Sequence, residues 1–452
     1  MLHSRQYPIW IGVICLIILT GCITNLPIKH EILHIEGITW ACNVSTFYSF
    51  FGSSSESEDQ PEVWIPASDG DLLYMLNENE NGFYYRFHSK DGSHLVVSQD
   101  TTKPHLILIN DKLAQIELSN RSDLEELENG LLNSPPGEVI TIFIGDSVTG
   151  EMIGKLKELR PELNGTGLYV DSDLSPGQFR DLISVCSPEW LASESISFDS
   201  IQDRPGRFDH LEYLWITGSS VEFIAMKPCC KNLETLVIAD WDPGIDEILS
   251  LSGFRKCHTL VLTECDISDF SSIDFPSRLQ RLHLIACDTL SDISGIKEIP
   301  GLMSLGLSGS DDVVSLDAIG ELTGLRRIAF PSNISQEEFV SILDKLPFME
   351  EVDLIDCENV VDLGPLKEMD NMKILALYPY DEWPQNLESL TQLELIILTA
   401  DIFDNSPELI NELRRQLPNT LVVPGSGLCM GSGWLLLLIP MVIVARLLFR
   451  KR

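Results

Sequence analysis

The chain has 452 residues, with 31 lysines and arginines against 68 aspartates and glutamates, so its formal net charge is −37. A hydrophobic fraction of 44% supports a folded core and excludes a wholly disordered chain. The acidic excess repels phosphates and therefore argues against a nucleic acid partner and against adsorption to anionic lipid headgroups. Residues 1–22 and 425–452 contain bases but no acid, which marks both ends as processing or anchoring segments.

Residues 1–22 contain one base, Arg5, followed by an apolar run from Pro8 to Leu19. This run has the length of the hydrophobic region of a signal peptide and is short for a membrane span. The segment ends in the sequence LTGC and resembles the lipobox of bacterial lipoproteins. The resemblance implies that Cys22 is lipidated and anchors the protein in the bacterial cell envelope, at the outer membrane or cell surface, because no aspartate follows it. The alternative is an ordinary secretory signal with a chance cysteine.

Residues 23–138 predict a small β-rich N-terminal domain, with a serine- and glutamate-rich linker near 52–62. Short runs, often alternating between apolar and polar residues, are separated by Asp-Gly, Asn-Gly and Lys-Pro turn signals. A helical stretch, DLEELENGLL, follows them. The strand-like runs are ILHIEGITW, EVWIPA, DLLYML, GFYYRFHS, HLVVSQD and HLILIN.

One catalytic motif occurs in this part: His30, Glu31 and His34 match the H-E-x-x-H pattern of zinc proteases. That chemistry requires a helix, in which histidines four residues apart share one face. The stretch follows a proline, and LHIEGITW alternates as a strand does. We therefore interpret the motif as a chance match, and predict no metal site, no cofactor and no catalytic residue.

From residue 139 onward the chain is repetitive. Nine segments spaced 21 to 24 residues apart have apolar residues at their first, fourth and sixth places. Weaker copies precede them at Val139, Gly165 and Ser193, and a last copy runs from Thr420 through Val423. The nine segments begin at Leu211, Leu233, Cys257, Leu279, Leu302, Leu325, Met349, Met372 and Leu393.

This pattern resembles the L-x-x-L-x-L-x-x-N/C core of the leucine-rich repeat. The resemblance implies an α/β fold over residues 139–424, a leucine-rich-repeat solenoid in which each repeat adds one strand to a curved parallel sheet. We expect the fourth and sixth side chains to form a continuous core. The ninth place should turn the chain around a buried amide or thiol, and it is occupied by Cys265, Cys287, Asn333 and Cys357.

The return segments predict a convex side of mixed structure. Ser175 with Gln178, and Ser335 with Glu338, have the spacing of capping boxes, and Ser406-Pro407 also predicts the start of a helix. The segments DISDFSSI, TLSDISGI and VVDLGPL are too short and too rich in turn formers for more than a 3₁₀ turn.

Residues 425–452 consist of a glycine- and serine-containing linker, an apolar run from Trp434 to Ala445 and a basic end. The apolar run predicts a short membrane helix with a cytoplasmic tip. The segment resembles bacterial C-terminal sorting tails, which implies cleavage between about Gly427 and Gly433. An uncleaved tail anchor and a glycosylphosphatidylinositol-type tail are the alternatives.

The second, third, fifth, seventh and eighth places of each repeat should form the concave face of the sheet. Aromatic residues and arginines are frequent anchors of protein interfaces, although any one of them could simply be exposed surface. The candidate binding residues are Tyr213, Trp215, Arg281, His283, Arg326, Arg327, Asp353 and Tyr378.

The sequence as a whole predicts a non-enzymatic, exported, lipid-anchored protein that binds a protein or a surface polymer through its concave face. Membrane attachment would be through the lipid at Cys22 and, if the tail is retained, through its apolar helix. One alternative is an envelope hydrolase with its catalytic site in the N-terminal domain. The other is a structural spacer fixed to the envelope at both ends.

Overall fold

The computed structural model describes the N-terminal strands, most of the repeat region and the helices between them. The predictions for residues 1–22, the linker 52–62 and the tail 426–452 lie outside the described residues, as do Cys22, His30 and Tyr378. The described residues are 31–35, 38–41, 63–67, 70–79, 82–89, 94–100, 106–109, 112–118, 121–133, 141–144, 148–159, 167–170, 174–188, 190–193, 208, 210–217, 230–242, 248–377, 383–399 and 407–425.

The N-terminal part is built of antiparallel strands, as its turn signals predict. Strand β1 pairs with β2 in a hairpin, and β3 to β8 form a meander in which each strand pairs with the next. These strands are β1 (Glu31–Ile35), β2 (Ile38–Ala41), β3 (Val63–Ala67), β4 (Gly70–Asn79), β5 (Gly82–Ser89), β6 (His94–Asp100), β7 (Leu106–Ile109) and β8 (Lys112–Leu118).

The repeat region contributes one strand per repeat to a long parallel sheet. The strands in chain order are β9 (Thr141–Ile144), β10 (Gly167–Val170), β11 (Trp190–Ser193), β12 (Tyr213–Thr217), β13 (Thr235–Ala239), β14 (Leu249–Ser250), β15 (Thr259–Thr263), β16 (Ile273–Asp274), β17 (Arg281–Ile285), β18 (Ser304–Gly306), β19 (Arg327–Ala329), β20 (Glu351–Leu354), β21 (Ile374–Leu377), β22 (Leu395–Thr399) and β23 (Leu421–Gly425). The two-residue strands β14 and β16 pair with each other instead, on the return segments.

The fourth-place side chains form a single file through the sheet, which confirms the predicted repeat. Leu236 is in register with Leu260, Leu260 with Leu282, and Leu282 with Leu305, and the same register continues to Leu375. These leucines are at most 1% exposed. No repeat covers its own apolar face, so the core exists only because neighbouring repeats stack. The repeat region is a leucine-rich-repeat solenoid.

The parallel sheet does not begin with the first repeat. Strand β8, the last of the antiparallel meander, pairs in parallel with β9, so that Ile116 aligns with Ile142 and Leu118 with Ile144. All four side chains are fully buried. The N-terminal domain and the solenoid therefore share one sheet and one core.

The return segments are α-helices in some repeats and 3₁₀ helices in others. Capping boxes begin two of the α-helices, as the sequence predicts. Ser175 caps the first of them and bonds to Gln178 in its first turn, and Ser335 caps the second and bonds to Glu338. The segments TLSDISGI and VVDLGPL lead into 3₁₀ helices that begin in their last residues (Ser294–Glu298 and Gly364–Glu368). Two further 3₁₀ helices are Asp317–Glu321 and Leu387–Ser389. The α-helices are α1 (Arg121–Asn133), α2 (Gly150–Glu158), α3 (Pro176–Cys186), α4 (Gln336–Leu343) and α5 (Pro407–Gln416).

The ninth-place cysteines are buried thiols that bond to the backbone inside the turns. Cys265 Sγ lies 3.3 Å from the carbonyl oxygen of Thr263, and Cys357 Sγ lies 3.5 Å from that of Pro331. Cys287 is equally buried. Burial raises the pKa of the Cys257 thiol, at the first place of its repeat, to about 12. All six cysteines in the described part of the chain are buried and in the thiol form.

The residue before the ninth place has a left-handed backbone in five repeats, which the sequence pattern does not predict. Its φ is about +50° to +70° in each case, and only one of the five is a glycine. In this conformation the backbone N–H groups of residues 240, 264 and 286 donate to carbonyls of the next repeat. The five residues are Asp240, Glu264, Ala286, Gly309 and Asp356.

Candidate functional site

Two rows of side chains on the parallel sheet form the concave face. Since side chains alternate along a strand, residues on either side of the buried fourth place point away from the core. The strand register aligns these residues from repeat to repeat. The third-place row is Tyr213, Thr235, Thr259, Arg281, Ser304, Arg327, Glu351, Ile374 and Leu395; the fifth-place row is Trp215, Val237, Val261, His283, Gly306, Ala329, Asp353, Ala376 and Ile397.

The sequence-predicted residues fall into two groups on this face, separated by apolar side chains. Tyr213 and Trp215 lie together on β12. Arg281, His283 and Arg327 lie in a polar centre on β17 to β19, and Asp353 lies on the next strand. Val237 and Val261 separate the aromatic end from this centre, and Ala376 and Ile397 follow it.

The concave face is shielded from solvent, which differs from the exposed surface that the sequence suggests. Trp215 is 6% exposed, Arg281 7% and His283 3%. Val237 and Val261 are fully buried. A single-layered sheet covers only the side that packs on its own core and would leave this face open. The low exposed fractions of these side chains therefore mean that the face is closed to bulk water in the isolated chain.

Arg281 is held by a hydrogen-bonded chain that crosses three repeats. Its Nε donates to Thr259 Oγ1 at 2.8 Å, and its Nη2 donates to His258 Nδ1 at 2.9 Å. Because Nδ1 of His258 accepts, the proton of the neutral ring is on Nε2, which lies 3.5 Å from Glu234 Oε2. The hydrogen bond from His258 lowers the pKa of Glu234. Burial lowers the pKa of Arg281 to about 9, and the charge of Arg327 adds to this effect.

His283 lies between the two arginines of the polar centre and stays neutral. Burial, followed by the charges of Arg281 and Arg327, lowers its pKa to about 3. Its Nε2 lies 3.4 Å from the hydroxyl of Ser304. Gly306 lies beside it on the next strand, where any Cβ would collide with Nδ1 of His283. The ring is therefore fixed between small neighbours.

The consecutive arginines 326 and 327 have different roles. Arg327 Nε lies 3.4 Å from Glu351 Oε2 on the concave face, where both side chains are largely buried. Arg326 is a second-place residue and pairs with Glu350 at 2.8 Å on the rim, where solvent reaches it. An exposed pair of this kind contributes little to stability.

Asp353 is buried at the downstream edge of the polar centre. Its Oδ1 accepts a hydrogen bond of 2.9 Å from the backbone N–H of Ile355, just after β20. The residues that sequence reasoning missed are Glu234, His258, Thr259, Ser304 and Gly306. The signal was available for the polar ones, since they occupy the second and third places of aligned repeats.

The described part of the zinc-protease motif, from Glu31 to His34, lies on a strand. Glu31 to His34 are part of β1, with Leu33 opposite Trp40 and His34 opposite Thr39 in β2. Positions four apart on a strand are about 13 Å apart, whereas one helical turn brings them within about 6 Å. Elsewhere in the described ranges, no group of three or more His, Cys, Asp or Glu residues is arranged to hold a metal ion. None of the helices described has the length and apolarity of a membrane span.

The chain matches no family model and no curated protein. Among solved structures it is similar to an internalin from Listeria monocytogenes, at 14% identity and a TM-score of 0.36, over 66% of this chain and 93% of that chain. It is also similar to TLR13 in its complex with ssRNA13, at 14% identity and a TM-score of 0.38, over 72% of this chain and 50% of that one. A leucine-rich-repeat protein from Leptospira interrogans is 14% identical, with a TM-score of 0.24, over 68% of this chain and 99% of that chain. These likenesses concern the fold, and the fold assignment rests on the strand register described above.

Proposed function

We propose that this chain is an exported, lipid-anchored leucine-rich-repeat protein that binds a protein or surface-polymer partner through its concave face. The observation that supports this function is the register of the sheet, which aligns the third- and fifth-place side chains of nine repeats on one face. At about 4.8 Å per strand, these repeats span about 38 Å, enough for an extended ligand to contact several of them.

The chemistry of this face favours binding. Tyr213 and Trp215 supply rigid aromatic surface at one end, and Arg281 and Arg327 supply charged hydrogen-bond donors in the centre. Aromatic residues and arginine are enriched among the residues that dominate binding energy. Since these side chains are shielded in the isolated chain, a partner must first gain access to the face.

Capture from an envelope extract tests the role of this face. Trp215→Ala and Arg327→Ala should each abolish retention of the partner that the wild-type chain captures and that mass spectrometry identifies. Arg278→Ala, at an exposed position away from the face, is the matched control and should capture normally. Circular dichroism checks that each variant is folded. Unchanged capture by both concave variants would remove this face from consideration.

Lipid anchoring at Cys22 is part of the same proposal and places the protein in the bacterial cell envelope, at the outer membrane or cell surface. The support is the segment 1–22, which combines Arg5, an apolar run and the sequence LTGC. The intact mass of the mature protein tests it. We expect a chain that begins at an acylated Cys22 and ends between about residues 427 and 433. An unmodified Cys22 would contradict the anchor, and a retained tail would instead support the envelope spacer.

A further inference from the structure

Arg281, Ser304 and Arg327 occupy the same third place on three successive strands, β17 to β19. We call these three residues the arginine row. The two arginine positions are two strands apart, which corresponds to about 10 Å between their Cα atoms. The hydroxyl of Ser304 lies between them. In the structure Arg281 extends upstream to Thr259 and His258, and Arg327 extends downstream to Glu351. Each side chain is longer than half this separation, so both guanidinium groups reach a group bound above Ser304 once they turn toward it.

Arg281 lacks a direct counter-ion within the described part of the chain. Its guanidinium bonds to Thr259 and His258, which are uncharged partners, and no carboxylate of the described residues lies within ion-pair distance of it. Arg327, in contrast, pairs with Glu351. The charge of Glu234 acts on Arg281 from beyond His258 and not in direct contact. A buried charge without a counter-ion in contact is costly, and a carboxylate that binds it offsets that cost.

The surroundings of the arginine row also suit an anion. Burial lowers the pKa of His283 most, and the positive charges of Arg281 and Arg327 lower it further, so both arginines act on the ring that adjoins Ser304. The fifth-place residues of β18 and β19 are the small residues Gly306 and Ala329, and the ring of His283 packs against Gly306. Neutral His283 forms the adjoining wall, with Nε2 near the serine hydroxyl.

We propose that the arginine row binds the side-chain carboxylate of an acidic residue in an extended segment of a protein partner. The proposal rests on the proposed function and names the chemistry of its ligand. Two guanidinium groups and a hydroxyl provide several donors to one carboxylate, and bonds between arginine and carboxylate are among the strongest hydrogen bonds in proteins. The carboxylate of such a segment supplies the buried guanidinium of Arg281 with a counter-ion in direct contact.

The flanking rows specify more of the ligand, since an extended peptide advances about 3.3 Å per residue and the strands are about 4.8 Å apart. Val237 lies three strands upstream of Gly306, which corresponds to about four peptide residues. Glu351 and Asp353 lie two strands downstream of the Ser304 strand, which corresponds to about three. The fitting segment therefore has an apolar residue about four positions from its acid on one side. On the other side it has a basic residue about three positions away.

This flanking pattern argues for a protein ligand. Val237, Val261 and Trp215 upstream, and Ala376 and Ile397 downstream, are apolar side chains that suit the side chains of a peptide. A phosphate or an acidic sugar would use the arginine row and leave these apolar surfaces without a partner.

The test uses the full-length chain and short peptides whose central position is fixed in turn as Glu, Asp, Gln or phosphoserine, with all other positions randomised. We expect the Glu and Asp pools to be retained roughly tenfold more than the Gln pool, the factor expected for one charge-assisted hydrogen bond. Arg281→Gln and Arg327→Gln should each remove this preference, and Arg281→Lys should keep part of it. The exposed Arg278→Gln is the control and should behave as the wild type. Thermal unfolding verifies that every variant is folded.

The outcomes separate this inference from the proposed function. Retention that depends on Trp215 but not on a central acid, or a preference for the phosphoserine pool, would overturn the carboxylate site and leave concave-face binding intact. Acid preference that persists in both glutamine variants would place the anion site elsewhere and overturn the inference. Retention of no pool by the wild-type chain would overturn both.

Discussion

Gly306 and His283 are neighbours on adjacent strands, and the close packing of the ring against the glycine leads to a prediction at the residue scale. A Cβ at position 306 would collide with Nδ1 of the buried His283 ring. Gly306→Ala should therefore lower the free energy of unfolding by about 1–3 kcal/mol, as overpacking does in other cores. Urea denaturation measures this change.

The double variant Gly306→Ala/His283→Ala tests the cause. Removal of the ring should relieve the collision, so the double variant should be more stable than the sum of the two single changes implies. Simple additivity would show that the ring is not what excludes a side chain at position 306.

His283 also predicts a pH dependence of stability. Its pKa in the folded chain is lowered to about 3, while an unfolded histidine takes up its proton near pH 6.5. Between these values the unfolded chain binds the additional proton, so the stability that neutral His283 contributes is present above about pH 6.5 and is lost as the pH falls toward 3.

Comparison with His283→Gln isolates this contribution, since glutamine does not titrate and the other groups are common to both chains. The stability of the variant relative to the wild type should rise as the pH falls from 7 to 4, by up to about 1.4 kcal/mol per pH unit. Equal dependence of both chains on pH, measured by urea denaturation, would contradict a neutral buried ring.

At the residue scale the sequence predicts the buried positions better than the polar contacts. Leu282 and Cys265 occupy repeat places whose burial follows from the repeat itself. The bonds of Arg281 to His258 and Thr259 depend on which side chains meet on neighbouring strands, and hydrophobic periodicity carries no information about that choice. The closure of the concave face was also unpredicted, because a repeat pattern describes only the core side of the sheet.

At the scale of single elements, the left-handed residue before the ninth place recurs in five repeats. Gly309 adopts it without strain, whereas Ala286 adopts a φ of +51° that disfavours a side chain. Ala286→Gly should therefore raise the free energy of unfolding by up to about 1 kcal/mol. The matched change Ala318→Gly, in the 3₁₀ helix Asp317–Glu321, should lower it. Destabilisation by both changes in thermal unfolding would contradict strain at Ala286.

The capping box at the start of helix α4 leads to a second prediction at this scale. The hydroxyl of Ser335 accepts from the backbone N–H of Glu338, whose side chain in turn accepts from Ser335. Ser335→Ala should cost about 1 kcal/mol in urea denaturation, because it leaves a helix N–H without its cap. Ser341→Ala, on the exposed face of the same helix, is the control and should be close to neutral. Equal effects of both would show that the cap does not stabilise this helix.

The sequence predicts helices best where a cap is present. Ser175 and Ser335 predict the starts of α3 and α4, because the capping box is a local sequence pattern. The left-handed turns at Asp240 and Glu264 were missed for the opposite reason. Their conformation is imposed by the next repeat, whose carbonyl oxygens accept hydrogen bonds from their backbone N–H groups. Aspartate and glutamate, unlike glycine, do not indicate a left-handed backbone in a sequence.

At the scale of the whole molecule, the repeat pattern predicts the stacking of the solenoid but not how it joins the N-terminal domain. The parallel pairing of β8 with β9 has no counterpart in the sequence, because the repeat pattern begins only at residue 139. A register that depends on two unlike segments is specified by tertiary packing, here by Ile116 and Leu118 against Ile142 and Ile144. The domain boundaries therefore stay predictions, whereas the fold of the repeats is confirmed.

The β8–β9 pairing has a consequence for the oligomeric state. A parallel sheet that started at β9 would expose a row of unpaired backbone groups together with Ile142 and Ile144, and such an edge templates the addition of another chain. Strand β8 covers that edge and leaves none of it free. A chain that starts at residue 139 should therefore form growing end-to-end polymers as its concentration rises, while the full-length chain stays at one size in analytical ultracentrifugation. A truncated chain of constant monomeric size would show that the edge is harmless. Polymers would show that the N-terminal strands prevent end-to-end association, with β8 next to β9 at one end of the parallel sheet and β3 next to β23 at the other.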